Sequence, residues 1–87
     1  MSRTVLISNR RGLHARASAK FVTLAAQQAA QIEVEKDGSR VAGTSIMGLM
    51  MLGAAMGDTI TITAAGNGAN DAVLALTELV EAKFGED

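Results

Sequence analysis

With 87 residues, 48% of them hydrophobic and only 2% aromatic, the chain suffices for one core but must fill it with aliphatic side chains and methionine. It has no cysteine, which excludes disulfides and thiolate metal sites and points to a reducing cytoplasm as its location. A net charge of −1 with no Tyr or Trp argues against nucleic-acid binding.

The chain opens with Met1-Ser2-Arg3-Thr4, which lacks the apolar run of a signal peptide. Later apolar stretches are too short or too broken by glycine to span a bilayer, so no membrane insertion is expected. Thr4-Val5-Leu6-Ile7-Ser8 reads as a β-branched strand closed by Asn9 and a turn at Gly12. A helix is expected from about Ala15 to Ala30. Arg16, Lys20, Thr23 or Leu24, Gln27 and Gln31 form its polar side. Ala15, Ala19, Val22, Ala26 and Ala29 form its apolar side, widened by Phe21 and Ala25.

From Gln31 to Lys36 the period changes to two, placing Ile32 and Val34 opposite Glu33 and Glu35. Asp37-Gly38 signals a hairpin into Arg40-Val41-Ala42, which Gly43 ends. Thr44-Ser45 offers a hydroxyl cap for a short Met-rich helix, Ile46 to Leu52, stopped by Gly53. Gly57-Asp58 turns into the strand Thr59–Ala64. Gly66-Asn67-Gly68 then opens onto a helix carrying Ala69, Ala72, Val73, Leu76, Val80 and Phe84 on one side. These elements predict an α+β domain over 1–87, an open-faced two-layer β-sandwich in the order βαββαβα. Its four-stranded antiparallel sheet is covered on one face by three helices.

Chemistry converges on Gly12-Leu13-His14-Ala15-Arg16. Arg3, Arg10, Arg11, Arg16 and Lys20 are five of the eight basic residues, and no acid precedes Glu33. Such asymmetry around the only histidine suggests an anionic ligand or an acidic partner; a solvated basic face is the competing reading. At a helix start, the free N–H groups of Ala15, Arg16 and Ala17 favour a phosphate. Arg16 adds a planar fork for phosphoryl oxygens, and Lys20 extends the positive field one turn on. That set suits a histidine that accepts and passes on a phosphoryl group, with no cofactor implied. A closed zinc site is not expected from one histidine without cysteine. A histidine that merely occupies the helix start remains the alternative.

Two motifs carry a resemblance. Gly12-Leu13-His14-Ala15-Arg16 resembles the active-site motif of HPr, the histidine-containing phosphocarrier family of the bacterial phosphotransferase system. Thr44-Ser45-Ile46-Met47-Gly48-Leu49-Met50-Met51-Leu52-Gly53 resembles that family's regulatory-serine segment, and the likeness spans almost the whole chain. The resemblance implies that His14 is phosphorylated on Nδ1 by phospho-enzyme I and hands the group to a histidine of an EIIA domain. It also makes Arg16 the active-site arginine and Ser45 a target of an HPr kinase/phosphorylase. A docking patch of Ile46, Met47 and Met50 follows, rimmed by Arg16 and Lys20, on a protein expected to be a monomer. Leu49 and Leu52 are assigned to the core. Two positions depart from the family: Ala17 stands where proline is common, and Thr44 where lysine often precedes the serine. A regulatory branch protein, reporting nitrogen or carbon status without sugar uptake, and a plain anion-binding module are the alternatives.

Overall fold

The computed structural model describes residues 1–86. In chain order they form β1 (Ser2–Leu6), α1 (Ala15–Ala26), β2 (Gln31–Lys36), β3 (Ser39–Ala42), α2 (Ile46–Met51), β4 (Thr59–Ala65) and α3 (Ala69–Glu81). A 3-10 turn, Lys83–Gly85, follows α3. The strands lie in the order β1-β4-β2-β3, every neighbouring pair antiparallel. This is the open sheet with three helices expected from the βαββαβα order.

Alternation in β4 decides the two faces. Ile60, Ile62 and Ala64 are buried with Ile32, Val34 and Val5, against Phe21 and Ala25 of α1, Leu49 of α2, and Leu76 and Val80 of α3. The opposite face is polar: the Thr4 and Thr61 hydroxyls lie 3.0 Å apart, and Arg40 reaches Glu35 at 3.2 Å and Glu33 at 3.6 Å. The β2–β3 hairpin closes through Asp37 and Gly38, at φ 51° and 84°. Both central residues are left-handed, as a tight hairpin twisted with its strands requires.

Several boundaries differ from expectation, those of β3 (from Ser39) and β4 (to Ala65) by one residue. β1 starts two residues earlier and stops at Leu6, because its partner β4 begins at Thr59 and extends far enough to pair Ser2 with Thr63. α1 ends at Ala26 rather than near Ala30. There the N–H groups of Gln27 and Gln28 turn back to the carbonyls of Leu24 and Ala25, each at 3.1 Å, and no Gly or Pro marks the stop. α2 ends at Met51, with Leu52 as its C-cap. Phe84 lies beyond α3, in the 3-10 turn, yet is still buried.

The buried side of α1 is also rotated from the alanine-based expectation. Ala17, Ser18, Phe21 and Ala25 face the core, whereas Ala15, Ala26 and Ala29 are exposed. Alanine has too little apolar area to choose a face. Phe21 makes the choice, since burying one such ring contributes roughly 1.5–3 kcal/mol.

Candidate functional site

The site begins with a tight loop between β1 and α1. Asn9 is fully buried; its side-chain amide donates to the Gly12 carbonyl at 2.8 Å, while the Gly12 N–H returns to the Asn9 carbonyl at 3.2 Å. Arg10 and Arg11 therefore occupy the tip of a closed turn, with side chains in solvent. Gly12 has φ +63°, and a Cβ there would be driven into the Ala54 carbonyl. Leu13 N–H bonds that same carbonyl at 2.9 Å, so the loop is fastened to the segment following α2.

His14 is the N-cap residue of α1, in extended backbone conformation. The first intrahelical bond runs from Ser18 N–H to the His14 carbonyl at 2.9 Å. The N–H groups of Ala15, Arg16 and Ala17 precede it, in the part of a helix that attracts anions. Ser18, buried, also donates its hydroxyl to the Leu13 carbonyl at 3.1 Å and fixes the approach to His14. Ala17 is buried and begins no kink. Unlike proline, it keeps an N–H in this first turn.

The imidazole is held from the far end of the chain. After α3 the backbone turns left-handed at Lys83 (φ 59°) and Phe84 (φ 56°), a conformation that costs about 1–2 kcal/mol per non-glycine residue. Burial of the Phe84 ring offsets that cost, and Lys20 Nζ donates to the Phe84 carbonyl at 2.6 Å. The turn delivers Glu86 to the site. Its Oε1 and Oε2 lie 2.9 and 3.0 Å from His14 Nε2, and Asn9 Nδ2 donates to Oε1 at 2.9 Å. Hydrogen bonds from Asn9 first and His14 second hold the Glu86 carboxyl below its ordinary value, against the opposing effect of desolvation. An ionised carboxylate only accepts. Nε2 therefore carries the hydrogen, and in the neutral ring Nδ1 keeps its lone pair. The arrangement is an oriented imidazole at a helix N-terminus, with Nε2 occupied by a carboxylate.

A family model described as the PTS HPr component phosphorylation site matches residues 1–82. The chain belongs to the HPr family. It is 46% identical over 86 residues to a phosphocarrier protein HPr of Neisseria meningitidis, covering 99% of this chain and 97% of the relative. It is 41% identical to a phosphocarrier protein NPr of Shewanella violacea, with 99% and 94% covered. An HPr crystal structure from Thermoanaerobacter tengcongensis superposes with TM-score 0.95 at 44% identity, covering 100% of this chain and 98% of that one. This member is thus a phosphocarrier-type protein of the phosphotransferase system, a family that acts with enzyme I and EIIA partners.

Within this HPr-family chain the expected site residues fall into three groups. His14, Ala15, Arg16 and Ala17 come together at the start of α1. Ser45 caps α2, its hydroxyl accepting from Gly48 N–H at 3.0 Å. Ile46, Met47 and Met50 are 41%, 68% and 40% exposed, while Leu49 and Leu52 are buried as expected. Met51, omitted from the expected patch, is the most exposed of all at 80%. Lys20, expected at the rim of the patch, is exposed, and its ammonium group donates to the Phe84 carbonyl.

The sequence reading missed Asn9, Ser18 and Glu86. Asn9 was legible as a turn residue, since Asn-x-x-Gly closes loops. Glu86 carried no local signal, lying 72 positions from His14.

Proposed function

We propose that His14 is the phosphoryl acceptor of this protein, taking the group on Nδ1 from phospho-enzyme I and passing it to a histidine of an EIIA domain. The observation that carries this reading is the Glu86 carboxylate on Nε2, which leaves Nδ1 as the nucleophilic nitrogen. In the forward step the Nδ1 lone pair attacks phosphorus, the donor's N–P bond breaks, and its electron pair returns to the donor imidazole. The hydrogen on Nε2 stays against Glu86. N–H groups of Ala15, Arg16 and Ala17 and the Arg16 guanidinium receive the phosphoryl oxygens. Transfer onward is the same step reversed against a new imidazole.

Partners reach the site across Ile46, Met47 and Met50, whose exposed and adaptable side chains suit successive docking to different proteins. Phosphorylation of Ser45 by an HPr kinase/phosphorylase would place about −1.5 to −2 charges beside that patch and repel acidic partners. Incubation with phosphoenolpyruvate and enzyme I tests the carrier reading. Wild-type protein should gain one acid-labile phosphate and His14→Ala none. Equal labelling of the two would remove it.

The likeness to an NPr at 41% identity, close to the 46% for an HPr, supports a second reading, that of a regulatory branch carrier. Comparing transfer to a sugar-permease EIIA and to a nitrogen-type EIIA separates the two.

A further inference from the structure

The methionines, expected in the core, are all outside it. The buried apolar side chains are Val, Ile, Leu, Ala or Phe, and each of the five methionines is exposed. Methionine is ordinarily among the residues most often buried. Four of the five lie between Met47 and Met56. Met47, Met50 and Met51 stand at i, i+3 and i+4 on the outward side of α2, while Leu49 anchors that helix to the core. Met56 follows in the segment that fastens the loop carrying His14. There the Ala54 carbonyl accepts from Leu13 N–H at 2.9 Å, and Gly57 N–H donates to the Ile7 carbonyl at 2.9 Å. With no cysteine in the chain, these thioethers and Met1 are its only sulfur.

We propose that Met47, Met50, Met51 and Met56 form an oxidative modification site, whose conversion to sulfoxides by hydrogen peroxide weakens partner docking and leaves the fold intact. The proposal rests on the carrier reading of His14 and its α2 docking patch. A thioether sulfur attacks one peroxide oxygen and the O–O bond breaks. The sulfur keeps that oxygen and is oxidised by two electrons, its proton passes to the departing hydroxide, and the peroxide is reduced to water. Exposure lets the oxidant reach all four sulfurs without opening the core. Each modified side chain changes from flexible and apolar to polar, and its new oxygen must be stripped of water when a partner covers it. None of the four supports the core, and none touches the imidazole's partner Glu86, so the change falls on docking. Methionine sulfoxide reductases make it reversible, one enzyme for each sulfoxide epimer.

The test treats the full chain with hydrogen peroxide, removes the excess with catalase, and then measures phosphoryl transfer from phospho-enzyme I. Peptide mass spectrometry follows the sulfoxide at each methionine. Each protein is compared with itself, as KM after treatment over KM before, so that any effect of a substitution on docking cancels. Oxidised wild type should show KM raised about tenfold, with kcat within about twofold and the urea midpoint unchanged. Reductases for both epimers should reverse the rise. Met47→Leu/Met50→Leu/Met51→Leu/Met56→Leu keeps apolar area without sulfur, so treatment should leave its KM unaltered although Met1 still oxidises. Failure of untreated wild type to accept phosphate would remove the carrier reading, and the proposal with it. With acceptance intact, an unchanged KM in fully oxidised wild type, a loss confined to kcat, an equal rise in the leucine variant, or unfolding on oxidation would each overturn the proposal alone.

Discussion

His14 Nε2 lies 2.9 Å from Oε1 of Glu86, so the imidazole is oriented by a residue that is 72 positions away. Under the proposed carrier role, that hydrogen bond leaves Nδ1 to face the incoming phosphoryl group. Replacing Glu86 with Gln gives Nε2 a partner that both donates and accepts, so the tautomer is no longer imposed. Acceptance from phospho-enzyme I should slow by up to about tenfold, the scale of one net hydrogen bond in a rate. Nitrogen-15 NMR of His14 should show mixed tautomers in the variant and one in wild type. Equal rates and a single tautomer in both would leave Glu86 without this role.

The same carboxylate sets a pH dependence of stability. Its native-state value lies below the ordinary 4.5, so the contribution is complete above 4.5 and disappears as pH falls through the depressed value. Urea unfolding of wild type and Glu86→Gln should therefore differ constantly from pH 5 to 6 and converge in more acid solution. A difference that grew on acidification would contradict the assignment.

Lys20 offers a separate test, because a docking cation and a structural tether behave differently. Its bond to the Phe84 carbonyl holds the turn that presents Glu86. Lys20→Met should lower stability by about 1 kcal/mol and speed amide exchange at Gly85 and Glu86. Unaltered exchange, with only a rise in KM for enzyme I, would make Lys20 a rim residue alone.

Most of the architecture was legible because it is written in local patterns. The alternation in Thr59–Ala64, the Asp37-Gly38 turn and the hydroxyl of Ser45 each specify their own element within a few residues. The face of α1 was not, because alanines occur all round it and Phe21, Val22 and Leu24 point to different sides, of which the Phe21 side is the fully buried one. The candidate site was half legible: His14 and Arg16 are marked by motif and charge, whereas Glu86 is placed by the left-handed turn at Lys83 and Phe84. Nothing in those two residue types announces positive φ. The conformation is imposed by the core that takes in the Phe84 ring.

Ser45 caps α2 and is proposed above as a regulatory phosphorylation site, and two substitutions separate the two roles. Ser45→Ala removes the acceptor for Gly48 N–H and should cost about 1 kcal/mol of stability. Ser45→Asp keeps a capping oxygen and should preserve stability while slowing phosphoryl acceptance from enzyme I. Equal acceptance rates for Ser45→Asp and wild type would remove the electrostatic account of regulation.

The central claim is that Nδ1 of His14 receives the phosphoryl group while Nε2 stays on Glu86. Its most direct test is combined phosphorus-31 and nitrogen-15 NMR of the protein phosphorylated by phosphoenolpyruvate and enzyme I. The account predicts a single phosphohistidine with phosphorus coupled to Nδ1. Coupling to Nε2, or phosphate on any residue other than His14, would contradict it.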